Sequence, residues 1–176
     1  MAFFLSMPWP PIVYYGEELG MRNLWGLPGK EGSISPSGRN RSAVRTPMQW
    51  DKTPNAGFST CPADRLYLPI DPDPNYPNVA EELANPNSQY HFVKTLLSLR
   101  RDYPALGTRG SWELLSPVNQ AYPMIYLRKL GDQKIVVVLN PSNKALTSRI
   151  PACGGKTIEY LYGNRKTVRW KNGKTS

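Results

Sequence analysis

Glu17 and Glu18 are adjacent carboxylates just behind a β-branched and aromatic run, Ile12-Val13-Tyr14-Tyr15, which Gly16 closes. A carboxylate pair at a strand end invites proton-transfer chemistry, one group acting as acid and the other as base. The spacing argues against it, because consecutive strand residues point to opposite faces and cannot share one reacting centre. His91, the single histidine, falls on the polar side of a helical stretch with no acid or cysteine within a turn, and reads as a surface histidine. Cys61 and Cys153 lie far apart and form no C-x-x-C pair, so they read as idle thiols rather than metal ligands. No metal or cofactor is expected.

These residues need elements to hold them. Ala2 to Met7 is apolar but too short to stand as a helix in water, and reads as the tail of a helix whose beginning is absent. Pro10 and Pro11 cannot donate ladder hydrogen bonds, so a strand can begin only after them, at Ile12 to Tyr15. That run has the composition of a buried parallel strand, yet nothing else before Tyr90 resembles a second one. It is expected to pair with polypeptide outside these residues, since its backbone groups need partners. A stretch dense in Gly, Pro, Asn and Asp follows from Gly16 to Pro86 and reads as one long loop, a kind that is usually functional.

Pro86 and Ser88 suit the first turn of a helix, and Phe92, Val93, Leu96, Leu97, Leu99 and Tyr103 make its apolar stripe until Pro104 stops it. After Gly107 the period shortens. Strands are expected at Trp112 to Leu115, Met124 to Leu130, Ile135 to Leu139, Ala145 to Ile150, Ile158 to Tyr162 and Val168 to Trp170, which is the pattern of an antiparallel sandwich. The continuous Ile-Val-Val-Val-Leu run implies a central strand covered on both faces, and Asn172-Gly173 signals a hairpin whose returning strand is expected beyond it.

The chain has 176 residues with 18 Pro, 14 Gly and 40% hydrophobic residues, the composition of a loop-rich globular protein. Its net charge of +9 is carried entirely after Leu106: before that point ten Lys/Arg balance ten Asp/Glu, whereas afterwards twelve face three. Such asymmetry can mark a nucleic-acid or acidic-membrane surface, but the basic residues are scattered through strand-like segments and read as a solvated face. Trp112, Tyr126, Tyr160 and Trp170 among them allow a starch-binding or nucleic-acid stacking surface, though half-buried sheet aromatics explain them as well. No stretch is long and apolar enough for a membrane span, and no signal peptide is recognisable at Met1 to Pro11, so no membrane partner is expected and the compartment defaults to the cytoplasm.

Two blocks carry more specific information: Tyr14-Tyr15-Gly16-Glu17-Glu18-Leu19-Gly20-Met21, and Arg41 to Ser59, read R-S-A-V-R-T-P-M-Q-W-D-K-T-P-N-A-G-F-S. Together they resemble the segment after the eighth barrel strand in the α-amylase superfamily of glycoside hydrolases, in the branch of oligo-1,6-glucosidases, α-glucosidases and trehalose synthases. Such a barrel takes about 250 residues, and the blocks belong to its last part. The resemblance therefore implies a fragment. Its fold would be an α/β barrel remnant, with the last strand, long loop and last helix of a TIM barrel over residues 1–106, followed by a truncated all-β antiparallel sandwich over residues 107–176.

The resemblance further implies that the arginine block lies on the C-terminal rim of the barrel, where such active sites assemble. One arginine of the block would bind glucose beside an acid from another rim loop, and Arg41 and Arg45 are the two matching positions. A guanidinium fork can grip a carboxylate and still donate to sugar hydroxyls, but the same two arginines can equally pin the loop. Trp50 would stack on a sugar or anchor the loop. The catalytic carboxylates implied by the family sit in motifs of the G-F-R-x-D and H-D type, which do not occur here; Glu17 and Glu18 also miss the 5–5.5 Å facing geometry of a retaining pair. The implied substrate is an α-linked gluco-oligosaccharide or disaccharide, cleaved or isomerised by a larger polypeptide that includes the missing N-terminal barrel portion; the alternative is a non-catalytic carbohydrate-binding or basic interaction β-domain. Pro8-Trp9-Pro10-Pro11 departs from the usual P-G-T-P, and Leu66-Tyr67-Leu68-Pro69 with the following D-P-D-P-N-Y leans slightly toward trehalose synthases.

Overall fold

The computed structural model describes residues 1–30, 32–34, 38–149, 151, 153 and 159–163. They form two compact units, one of residues 12–95 and one of residues 1–11 with 96 onward.

The second of these is built on an antiparallel sheet of β1 (Ser111–Leu114), β2 (Met124–Leu130) and β3 (Gln133–Leu139), in the order β1-β2-β3. Gly131 and Asp132 join β2 to β3 as a two-residue hairpin, in which Gly131 takes φ 57° and Leu130 faces Gln133. Leu115, Ile125 and Leu127 form the core, with Val136 and Cys153 packed on it. Burial there pushes the Cys153 thiol above its ordinary pKa.

The centre of this unit is a cation. Arg128, on the middle strand, is 0% exposed and donates from all three guanidinium nitrogens to backbone carbonyls. Nε reaches Ser111 at 3.0 Å; Nη1 reaches Ser6, and Leu106 at 3.2 Å; Nη2 reaches Gly107 at 2.6 Å and Gly110 at 3.1 Å. All five N–H groups are thereby used, which is what a buried guanidinium requires. Arg100, from helix α3 (Gln89–Asp102), donates to Leu5 at 2.9 Å, to Met7 and Leu106 at 2.7 Å and to Trp9 at 2.9 Å. The two arginines thus cap the C-terminal carbonyls of helix α1 (Ala2–Ser6), where positive charge is favoured, and hold a helix too short to persist alone. Ser6 and Tyr126 share a hydrogen bond between hydroxyls, and Phe3 meets Tyr126 edge-on at 6.5 Å. Burial raises the Tyr126 phenol above its ordinary pKa, against the pull of Ser6 and Arg128.

Two expectations are corrected here. The Ile135 to Leu139 run is not a central strand: β3 lies at the edge of the described sheet, Val138 is 43% exposed, and the middle position goes to β2. Its apolar run reflects β-propensity, whereas Arg128 disguises the burial of β2. Ala145 to Arg149 form no strand, nor do residues 159–162, so the described strands make one sheet layer; Val168 to Trp170 lie outside the described residues. Ile12 to Tyr15, expected to lack a partner among these residues, form no ladder, and Ile12 is 82% exposed. A parallel strand needs a neighbour, and none exists for it among the described residues.

The unit of residues 12–95 is loop-rich, as its Gly and Pro content requires, but it is heavily cross-tied. Arg22 forms ion pairs with Asp71 at 2.8 Å and Asp73 at 2.7 Å, and those donations hold the Asp73 carboxyl below its ordinary pKa. Helix α2 (Val79–Ala84), inside the expected loop, is started by Asn78, whose Oδ1 accepts from the Glu81 amide at 3.0 Å while its Nδ2 donates to Glu81 Oε2 at 2.7 Å. The first contact is an N-cap and the second holds the two side chains together, with Asn78 fully buried. Asn78→Ala is expected to lower stability by about 1 kcal/mol, measured by urea denaturation. His91 is half-buried: Ser88 Oγ lies 3.1 Å from its Nδ1, and the Tyr90 ring meets it edge-on at 5.2 Å.

Candidate functional site

Within residues 12–95, Ser42–Val44 make one 3₁₀ turn between Arg41 and Arg45. Ser42 is fully buried, its hydroxyl donating to Ser33 at 2.9 Å and its amide to Asn40 at 2.9 Å, so the turn is pinned. The two arginines leave it differently. Arg41 is exposed and its amide donates to the Ser33 carbonyl at 2.8 Å, whereas Arg45 is half-buried and its Nη1 donates to the Gly32 carbonyl. Arg45 and Trp50 come together in one open cleft of about 480 Å³; Arg41 is not part of its lining.

Tyr15 forms part of the cleft wall, with its hydroxyl donating to the Thr46 carbonyl at 2.8 Å. Burial and the adjacent Tyr14 raise the Tyr15 phenol above its ordinary pKa, while the charge of Arg45 pulls the other way. Pro47, Met48, Phe58, Tyr67 and Leu68 complete the wall, none of which was singled out from the sequence as a site residue. Phe58 comes from the same Arg41 to Ser59 block as Arg45 and Trp50, and folding of the loop brings Tyr67 in beside it.

Trp50 is held by its backbone. Its amide donates to the Ala56 carbonyl at 2.8 Å and its carbonyl accepts from the Ala80 amide at 3.0 Å, and the residue is 49% exposed. The loop returns to Ala56 through three consecutive left-handed residues, Asn55, Ala56 and Gly57, at φ 56°, 54° and 67°. A Cβ at Gly57 would lie 2.8 Å from Asp51 Oδ1, so glycine is needed there. Ala56 holds this conformation against its own Cβ, and buried alanine in such a state persists only where its surroundings fix it. Asn55 supplies part of that fixing, donating from Nδ2 to Ser59 at 2.9 Å and Cys61 at 2.6 Å.

The cleft can bind but contains no proton donor or nucleophile of the carboxylate kind. Arg45 is the only charged residue in its lining. Glu17 is exposed and accepts from the Tyr14 amide at 3.2 Å, closing the turn after residue 14. Among the described residues no cluster of His, Cys, Asp and Glu could hold a metal, and no helix is long and apolar enough to cross a membrane.

Comparison with known proteins agrees with these features. Residues 1–109 match the family described as α-amylase, catalytic domain. The chain is 30% identical over 173 residues to the oligo-1,6-glucosidase of Parageobacillus thermoglucosidasius, covering 85% of this chain and 30% of that protein. It is 35% identical over 154 residues to the trehalose synthase/amylase TreS of Mycobacterium tuberculosis, covering 85% of this chain and 23% of that one. In three dimensions it matches the isomaltulose synthase of Erwinia rhapontici NX5 with a TM-score of 0.63 at 30% identity, over 79% of this chain and 28% of the other. The chain therefore spans less than a third of the length of each relative. With its arginine block, its cleft and a family match over most of its length, the chain belongs to the α-amylase family.

Proposed function

We propose that this chain supplies one wall of an α-glucoside site in a larger α-amylase-type enzyme, which cleaves or isomerises α-glucosidic bonds of short sugars by a retaining mechanism. In this reading residues 1–106 are the closing part of the barrel and residues 107–176 a trailing β-sandwich. Ile12 to Tyr15 would find their ladder partners in the N-terminal barrel portion. The acids that attack and protonate the glycosidic bond would lie in that portion too, and the chain by itself would bind without turnover. Arg45 would donate to the hydroxyls of a glucose unit, Trp50 would offer a ring face beside it, and Arg41 would act from outside the cleft or as a loop anchor.

The observation that carries this reading is the convergence of Arg45 and Trp50, five residues apart in a motif the family shares, on one open cleft without a carboxylate. Titrating the ¹⁵N-labelled chain with methyl α-D-glucoside tests it. The Trp50 indole resonance should shift, and Arg45→Ala should weaken binding by about tenfold, the value of one good charged hydrogen bond. Undiminished binding in Arg45→Ala would overturn the assignment.

A further inference from the structure

Helix α2 begins against the arginine block, and its opening amides are committed to that block. The first N–H groups of a helix have no partner within it. Here Val79 donates to the Gln49 carbonyl and Ala80 to the Trp50 carbonyl, both at 3.0 Å, while Asn78 Oδ1 takes the Glu81 amide. The next carbonyl in line, that of Asp51, accepts from the Tyr76 hydroxyl at 2.8 Å. Three consecutive carbonyls with Trp50 in the middle are therefore held by one short segment, residues 76–80.

Gln49 ties the same two pieces from the other direction. It is 1% exposed, and its Nε2 donates to the Pro77 carbonyl at 2.6 Å. Burying a carboxamide costs free energy that an apolar side chain of its size would not incur, and what the amide adds is a directional bond. That bond fixes the residue just before the Asn78 cap, so backbone and side chain of Gln49 both bind the helix start. With its amide and its carbonyl both bonded, Trp50 has only its side-chain rotamers left to choose.

We propose that Gln49 and Tyr76 are positioning residues. Neither lines the cleft, and together they set the direction in which Trp50 presents its ring there. The consequence for binding rests on the sugar-binding reading of the cleft, whereas the positioning itself is read without ligand.

The ¹⁵N indole resonance of Trp50, identified by its loss in Trp50→Phe, is followed in the ligand-free chain and on titration with methyl α-D-glucoside. Gln49→Met keeps the volume and removes the donor. It should shift the resonance and weaken the glucoside about fivefold, the order of one ring contact. Tyr76→Phe removes only a hydroxyl from a half-buried ring, so it folds even where Gln49→Met does not, and should move both readings the same way. Val93→Ala, a core truncation elsewhere in the same unit, should lower stability in urea and leave both readings unmoved. An unmoved resonance in Tyr76→Phe and in folded Gln49→Met, or an equal shift in Val93→Ala, overturns the positioning role. A shifted resonance with undiminished glucoside affinity also overturns it, since the direction of the ring would not matter to the ligand. No glucoside binding by the intact chain overturns the sugar reading instead, and the ligand-free resonance then decides the positioning role alone.

Discussion

Arg128→Ala is expected to destabilise the unit of residues 1–11 and 96 onward by about 4 kcal/mol. The variant removes the Arg128 donors from the carbonyls of Ser6, Gly110 and Ser111, in a position where Arg128 itself is fully buried, while the Leu106 carbonyl keeps Arg100 and the Gly107 carbonyl keeps the Gly110 amide. A buried unsatisfied acceptor costs about 1–3 kcal/mol, and partial entry of water keeps the sum below the full penalties. Arg128→Lys should recover little, because one ammonium has three donors and cannot span carbonyls arranged around a planar fork. Urea denaturation followed by Trp fluorescence measures both variants. Loss below 1 kcal/mol for Arg128→Ala would show that the guanidinium is not the tie between α1 and the sheet.

Gly110→Ala should be nearly as damaging, at about 3 kcal/mol, for a different reason. A Cβ there would lie 2.0 Å from the Ala105 carbonyl oxygen and 2.9 Å from Arg128 Nη2. Neither neighbour can give way, since Ala105 is 0% exposed with its amide bound to Gln133 Oε1 at 2.7 Å, and the guanidinium is held by its five carbonyls. Gly131→Ala is the control, because φ 57° strains it while no atom lies within 4 Å, and it should cost about 1 kcal/mol. Equal losses for the two glycines would mean that backbone conformation, not the packing around Arg128, explains the first.

Stability should also decline in strong alkali. Tyr126 has its pKa raised by burial in the folded state, so its contribution is complete below the unfolded value near 10 and is lost as pH rises through the folded value. Tyr126→Phe should flatten that decline in a series of denaturation curves across the alkaline range.

Some of this structure could be read directly from residue order. Met124 to Leu130 was expected with the bounds it has, because Pro123 and Gly131 punctuate a β-rich run, and α3 followed from its Pro and Ser start and its Pro104 stop. Helix α2 has a signal of its own, Asn78 followed three residues later by Glu81, set inside a stretch otherwise dense in Pro and Asn. The arginine clamp was out of reach, since Arg128 meets Ser6 across 122 residues and a charged residue in a strand ordinarily reads as solvent-facing. The same holds for the cleft. Arg45, Trp50 and Phe58 sit in one motif and Tyr15 in the other, but nothing in residue order says that the two motifs and Tyr67 line one cleft. Arg41 looked equivalent to Arg45 by spacing, and the 3₁₀ turn between them separates their surroundings.

In the proposed function the glucoside binds here while the reacting acids lie elsewhere. Incubating the purified 176 residues with p-nitrophenyl α-D-glucoside and following nitrophenol release tests that most directly. No turnover above the uncatalysed rate is expected, for the chain alone or for Glu17→Gln and Glu18→Gln. Turnover by the intact chain that either substitution abolishes would contradict it, because the catalytic carboxylates would then be in this chain.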